Sequence, residues 1–146
     1  MPEQETIERA RKDKRAGKAA STQAGEFVRE EIHHIREGKH GARSTKQAIA
    51  IGLSKARRAG VELKPPQSGP ANTQEMAERD YAKGQSGSAK RVSAKRSRST
   101  SRALRREGRE AVSHQALSRQ AHTSSRRRTA AARSASARKA SRTRNR

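Results

Sequence analysis

The sequence predicts a mainly α-helical protein: a small helical hairpin, short flanking helices, and a long disordered basic tail. Three observations lead there. Helical punctuation is dense between about residues 22 and 60, with capping residues before and glycines after each apolar-periodic run. No run alternates apolar and polar residues with the period of two that a half-buried strand requires. The composition also breaks near Lys83. The residues from Ala82 onward hold 20 of the 36 Lys and Arg but only 2 of the 14 acids, a net +18, against +4 for the first 81.

Composition sets the outer bounds. A chain of 146 residues has room for one ordinary domain, but only 29 % of it is hydrophobic and 1 % aromatic. With a net charge of +22, that leaves too little apolar surface to offset chain entropy along the whole length. A pI near 11.8 calls for a polyanionic partner. Cysteine is absent, so disulfides and thiolate metal sites are excluded. The N-terminus lacks the apolar segment of a secretory signal, and no stretch reaches the length of a membrane span. The expectation is a cytoplasmic protein without a membrane partner.

Residues 1–21 form a charged helix or arm. Glu3, Glu5 and Glu8 precede Arg9, Arg11, Lys12, Lys14 and Arg15, the order the helix dipole favours. Glu5–Arg9 and Glu8–Lys12 have i,i+4 spacing. With only Ile7 and Ala10 as an apolar face, this helix is expected to be solvated and partly formed.

Residues 22–63 are the hairpin. Ser21 or Thr22 caps a helix that runs to about Glu37 and stops at Gly38. Phe27, Val28, Ile32 and Ile35 form its stripe, with Glu31 as an intruder. Ser44 then caps a second helix, and Gln47 three residues on completes a capping box. Ile49, Gly52, Leu53 and Ala56 share one face of it. Gly60 suits a left-handed C-cap with Val61 folding back. The short loop implies an antiparallel pair that Gly52 and Ala56 allow to approach closely. Such a core is marginal alone, so further stability is expected from homodimerisation through the stripe, from a third helix, or from ligand.

Residues 64–71, opening on Lys64-Pro65-Pro66, read as a linker. Residues 72–83 read as a short helix capped by Asn72 with Glu75, its Met76 and Tyr81 turned to the hairpin and Gly84 ending it. Tyr81 is the single tyrosine, and a core or surface role is expected rather than base stacking. Residues 84–146 are the Ser/Ala/Arg-rich tail, in which the stretch from Ser101 to His122, with Leu104, Ala111, Val112 and Leu117, is expected to become helical when its charge is neutralised.

Two groups of cations are the candidate nucleic-acid-binding residues. In the hairpin they are Lys39, His40, Arg43, Lys46, Lys55, Arg57 and Arg58. In the tail they are Arg96, Arg98, Arg105, Arg106, Arg126, Arg127, Arg128, Arg138 and Lys139. The tail's charge density suits phosphate binding through counterion release, without reading sequence, and it lacks the bulky apolar face of a membrane-surface helix. Ser97, Ser99, Ser134 and Ser136 lie where phosphorylation would weaken such binding. Gly38-Lys39-His40-Gly41 has the spacing of the GXXG loop that clamps nucleic-acid backbones in KH domains, although no strands exist to build a KH sheet. An anion site at the N–H groups of residues 44–47, ringed by Lys39, His40, Arg43 and Lys46, is expected on helix geometry alone.

No metal site is expected. His33, His34, His40 and Glu37 are close in sequence, with His33 and Glu37 one turn apart, but zinc wants at least three ligands on a rigid scaffold. No catalytic constellation, cofactor or small-molecule substrate is indicated, because the core is too small to preorganise one.

The run from Lys46 to Gly60, KQAIAIGLSKARRAG, resembles a family of small basic bacterial proteins of unknown function that share a KQAIAIGLSxARxAG helix after a Gly/Lys/His loop. The likeness covers about Glu26 to Gly60 and leaves out the N-terminal helix and the tail. That family is often described as DNA-binding, so the resemblance implies a bacterial origin and a DNA role. The tail resembles the arms of linker-histone-like bacterial proteins, with Arg where those carry Lys. The resulting expectation is sequence-independent DNA binding by a nucleoid-associated, histone-like accessory protein. The alternatives are an RNA- or ribosome-associated protein, or a protein-docking hairpin that the tail tethers to nucleic acid.

Overall fold

The computed structural model describes residues 1–87 and 92–145, so the parts of the expected tail at 88–91 and 146 lie outside the described residues. It is mainly α, with no strand among the described residues. The elements are α1 (Gln4–Arg15), α2 (Ala20–Arg36), α3 (Thr45–Arg58), α4 (Ala71–Gln85) and α5 (Ala94–Arg105), a 3₁₀ turn (Glu110–Val112), then α6 (His114–Arg126) and α7 (Ala130–Arg144).

The hairpin of α2 and α3 is the centre of the fold, with α1 packed on α2 and α4 on α3. Its helices run antiparallel. Ala24 and Phe27, early in α2, meet Ala56 near the end of α3, while Ile35, near the end of α2, meets Ala48 early in α3. Gly52 lets them touch: a Cβ there would stand 2.6 Å from the Val28 Cα, so the missing side chain is what permits the close crossing. The α3 boundaries follow the sequence signals. Ser44 Oγ accepts from the Gln47 N–H at 3.1 Å as in the expected box, while Gln47 Oε1 accepts from the N–H of Arg43, one residue before the cap, at 2.7 Å. At the other end Gly60 has φ +90°, and the Gly60 and Val61 N–H groups close a Schellman motif on the carbonyls of Arg57 and Ala56.

Other starts differ from expectation. α2 begins at Ala20 after Ala19, with no side-chain cap from Ser21 or Thr22. The reason lies one turn earlier: α1 ends in its own Schellman turn at Gly17, and Gln23 Nε2 donates to the Lys18 carbonyl, so the chain enters α2 already anchored. α4 starts at Ala71 behind Pro70 rather than at Asn72, and Gly84 lies inside it. A Cβ on Gly84 would stand 1.8 Å from the Arg57 carbonyl oxygen, so this glycine is a packing contact rather than a stop. Met76 is 54 % exposed and Tyr81 half-buried, while Ala77 and Asp80 face α3.

α1 is docked rather than solvated. Thr6 and Ala10 are buried, Arg9 Nε donates to Glu26 at 2.8 Å, and Glu30 accepts from the Glu3 N–H at 3.1 Å. Small residues and ion pairs make this contact, so it leaves little trace in apolar periodicity.

Two small cores result. One joins Ala10, Ala24, Phe27, Ala56 and Val61; the other joins Ile35, Ala42, Ala48 and Val112. Val112 comes from the segment expected to be tail and is 1 % exposed. The seam around it is polar as well as apolar. Arg36 donates to the Val112 carbonyl, Thr45 Oγ1 to that of Ala111, and the Gly41 and Ala42 N–H groups to those of Leu104 and Gly108. Beyond it, α5, α6 and α7 have no buried residue. Their helical form where the sequence suggested disorder reflects Ala and Arg, good helix formers, and the hydroxyl caps Ser113 and Thr129.

Candidate nucleic-acid interface

The hairpin cations divide into those with internal partners and those without. Lys55 points inward, its Nζ 2.6 Å from Glu31 and 3.5 Å from Glu30. Arg57 is buried, and its Nε donates to the Leu63 carbonyl at 3.1 Å. Burial pulls the Arg57 guanidinium down from its ordinary pKa, with the charge of Asp80 opposing. Arg58 Nε donates to Asp80 at 2.8 Å and its second nitrogen to Ser54. Lys39 sits 3.1 Å from Glu37 and 3.4 Å from Glu3. The Glu37 hydrogen bond, then the one to Glu3, raises its pKa. His40 turns toward Glu31, with Nε2 3.2 Å from Oε1. Arg43 and Lys46 are exposed, and neither is in an ion pair among the described residues.

The anion site expected at the start of α3 is partly consumed from within. The Gln47 and Arg43 N–H groups serve the capping box. The Gly41 and Ala42 N–H groups serve the Leu104–Gly108 turn, and a Cβ on Gly41 would stand 1.9 Å from the Glu107 carbonyl oxygen. The GKHG loop therefore clamps a stretch of its own chain, where a KH loop would clamp a phosphate backbone.

The tail cations are arranged differently. Arg96, Arg98, Arg105, Arg106, Arg126, Arg127, Arg128, Arg138 and Lys139 are all exposed, and none is in an ion pair among the described residues. Their hydrogen bonds are to local oxygens, such as Arg98 to Ala94 and Arg128 to Ala132. α5 contains no acid and gathers Lys95, Arg98, Ser99 and Arg102 around one concave patch. Lys95 and Arg102 were missed by sequence reading; their signal was the i, i+3, i+7 spacing of Lys95, Arg98 and Arg102, which puts all three on one face.

The histidines also fall out differently. His33 and Glu37 form an exposed pair at 2.9 Å. The structure instead gathers Glu31, His34 and His40, whose candidate ligand atoms lie within 4.8 Å of one another. Glu31 was passed over as an intruder in an apolar stripe.

Residues 4–68 match the model of a family of unknown function (DUF6496). The match begins with α1, which the resemblance had left outside, and ends in the segment after α3; α4 and everything from α5 onward lie beyond it. No curated protein and no solved structure matches the chain. No helix of the described residues is long and apolar enough to cross a membrane.

Proposed function

We propose that this protein binds DNA without reading its sequence, as a nucleoid-associated accessory protein, and that the cations of α5–α7 make most of the contacts. One observation carries the reading. Four of the seven hairpin candidates, Lys39, His40, Lys55 and Arg58, lie against acids of the bundle, whereas the nine tail candidates stand exposed with no ion-pair partner among the described residues. Exposed helices rich in arginine suit phosphate contact, which sets affinity and carries no base information. Arg43 and Lys46 add two exposed charges beside the seam where α5 meets the bundle.

The test is retrieval of the intact protein from cells with its bound polymer, followed by nuclease treatment, alongside titration of random-sequence duplexes with the purified chain. Release by DNase and equal affinity for unrelated duplexes are expected. Release by RNase alone would transfer the reading to RNA, and a strong preference for one duplex would overturn it.

A further inference from the structure

The polar cluster between the two small cores has a chemistry of its own, independent of nucleic acid. Glu31 is fully buried, yet neither carboxylate oxygen receives a well-formed hydrogen bond. Lys55 Nζ at 2.6 Å from Oε2 and His40 Nε2 at 3.2 Å from Oε1 are ion-pair contacts without hydrogen-bond geometry. A buried carboxylate in that condition demands an explanation, and a bound ion is one.

The histidines supply it. His40 Nδ1 lies 3.0 Å from the Gly41 carbonyl, so that nitrogen carries a proton, and in the neutral ring Nε2 turns its lone pair toward Glu31. At 3.2 Å the two atoms are held together by a positive species between them, a proton on Nε2 or a metal ion. His34 gives Nε2 to Glu3 at 2.9 Å, leaving Nδ1 as its metal-facing atom. Each imidazole is thus oriented by an oxygen on its far side, one a backbone carbonyl and one a carboxylate, the arrangement that fixes metal-bound histidines. Glu31 and His34 share a helix face at i,i+3, and the left-handed turn at Gly38 brings His40 back to them. Ligand atoms around a tetrahedral zinc stand about 3.3 Å apart, given bonds of about 2.0–2.1 Å. Glu31 Oε1 and His40 Nε2 already stand at that separation. The local charge agrees. Glu3, Glu30, Glu31 and Glu37 share Lys39 and Lys55 as ammonium partners, an excess of two acids that a dication offsets, and their other ion-pair partners among the described residues are histidines.

We propose that Glu31, His34 and His40 bind a divalent first-row metal, zinc foremost, at a structural site that pins the α2–α3 loop to α2. Lys55 keeps Oε2 while the metal takes Oε1, and water completes the coordination.

The test uses the full-length, tag-free chain, stripped with a chelator and titrated with zinc chloride in a calorimeter and with cobalt(II) in a spectrophotometer. One equivalent should bind, and cobalt should show the intense visible bands of a tetrahedral N/O site. A zinc concentration about a hundredfold above Kd should raise Tm by roughly 5–10 °C. H40A and H34A should each weaken binding by about 100-fold or more, as loss of a ligand does at least what loss of its orienting partner does. H33A, on the same helix but facing Glu37, should bind as the unaltered chain does. Absence of zinc binding, an octahedral cobalt spectrum, or equal loss in H33A and H40A would overturn the site. The cobalt spectrum of the unaltered chain decides the question even if H40A fails to fold.

Discussion

The two halves of this molecule use arginine in opposite ways. In the four-helix region, Arg9 reaches Glu26, Arg57 reaches the Leu63 carbonyl, and Arg58 reaches Asp80. There arginine holds helices together, and the family match to residues 4–68 covers most of that region. In α5–α7 the same residue has no acid to meet, because only Glu107 and Glu110 follow Ala82. The difference teaches that the positive charge of 36 Lys and Arg is not one property. Part of it is neutralised inside the fold, and part is left for a partner. A pairing internal to the bundle also sets its own limit, since a guanidinium already desolvated and bonded to a carbonyl has little to give a phosphate.

The largest effect that tests this contrast is ionic. If α5–α7 engage roughly 6–10 phosphates, affinity for DNA should fall about 10³–10⁵-fold between 50 and 200 mM salt. Changing Arg126, Arg127 and Arg128 to Gln should lower the slope of log affinity against log salt by about 2.7, at about 0.9 for each phosphate no longer neutralised. Changing Arg57 and Arg58 to Gln should leave that slope nearly unchanged and lower Tm instead. Equal slopes for the two variants, measured by titration with circular dichroism as the folding control, would erase the distinction between the halves.

The seam comes next. Val112 and the Leu104–Gly108 turn are the points at which the cationic half enters the core and ties to the GKHG loop. Val112→Ala should cost about 1–3 kcal/mol of stability, by loss of buried methyl groups and an incompletely filled space. Gly41→Ala should do at least as much harm, since its Cβ meets the backbone of Glu107 at 1.9 Å and backbone does not yield as a side-chain tip does. Denaturant melts read both. Unchanged midpoints would mean that α5–α7 hang from the bundle rather than dock on it.

The seam also marks where the sequence stopped being legible. The hairpin was readable because its signals are local: the Ser44–Gln47 box, Gly38 and Gly60 as C-caps, and Gly52 at the crossing each act within a few residues or one helix face. The docking of α1 was not, because Thr6, Ala10 and an Arg9–Glu26 pair make no apolar stripe. Val112 was visible as an apolar residue in a basic stretch, but its destination beside Ile35 depends on packing between segments far apart in the chain, which no periodicity encodes. Among the candidate cations, exposure rather than identity separates the two roles. Lys55 and Lys46 look alike in sequence, and only the position of Glu31 on the neighbouring helix shows that Lys55 is spoken for. The same residue explains the missed histidine cluster. A single acid in an apolar stripe reads as a flaw until the loop returns His40 to it.

The smallest effect concerns Lys39, an exposed cation that by geometry belongs with the paired class. Its hydrogen bond holds the Glu37 carboxyl below the ordinary carboxylate range, and bonds from His34 and then Lys39 do the same for Glu3. A depressed folded-state pKa stabilises the fold above the unfolded value of 4.5 and loses that contribution as pH falls through the depressed value. Lys39 runs the other way: raised above 10.5, it contributes below that pH and is lost as pH climbs through the raised value. The Tm difference between the unaltered chain and Glu37→Gln should therefore persist from about pH 5 to pH 9 and vanish in acid. Because these groups are exposed, the difference should be small and should shrink further in high salt. On DNA the same pairing predicts an asymmetry. Lys39→Gln should weaken binding less than Arg43→Gln, because two carboxylates already offset the Lys39 charge, and Glu37→Gln should strengthen binding by freeing it. Both comparisons need only low-salt titrations of folded variants at about pH 7, where these carboxylates are ionised. If Lys39→Gln costs as much as Arg43→Gln, then internal pairing does not withhold a cation from DNA, and the division between the two halves rests on position alone.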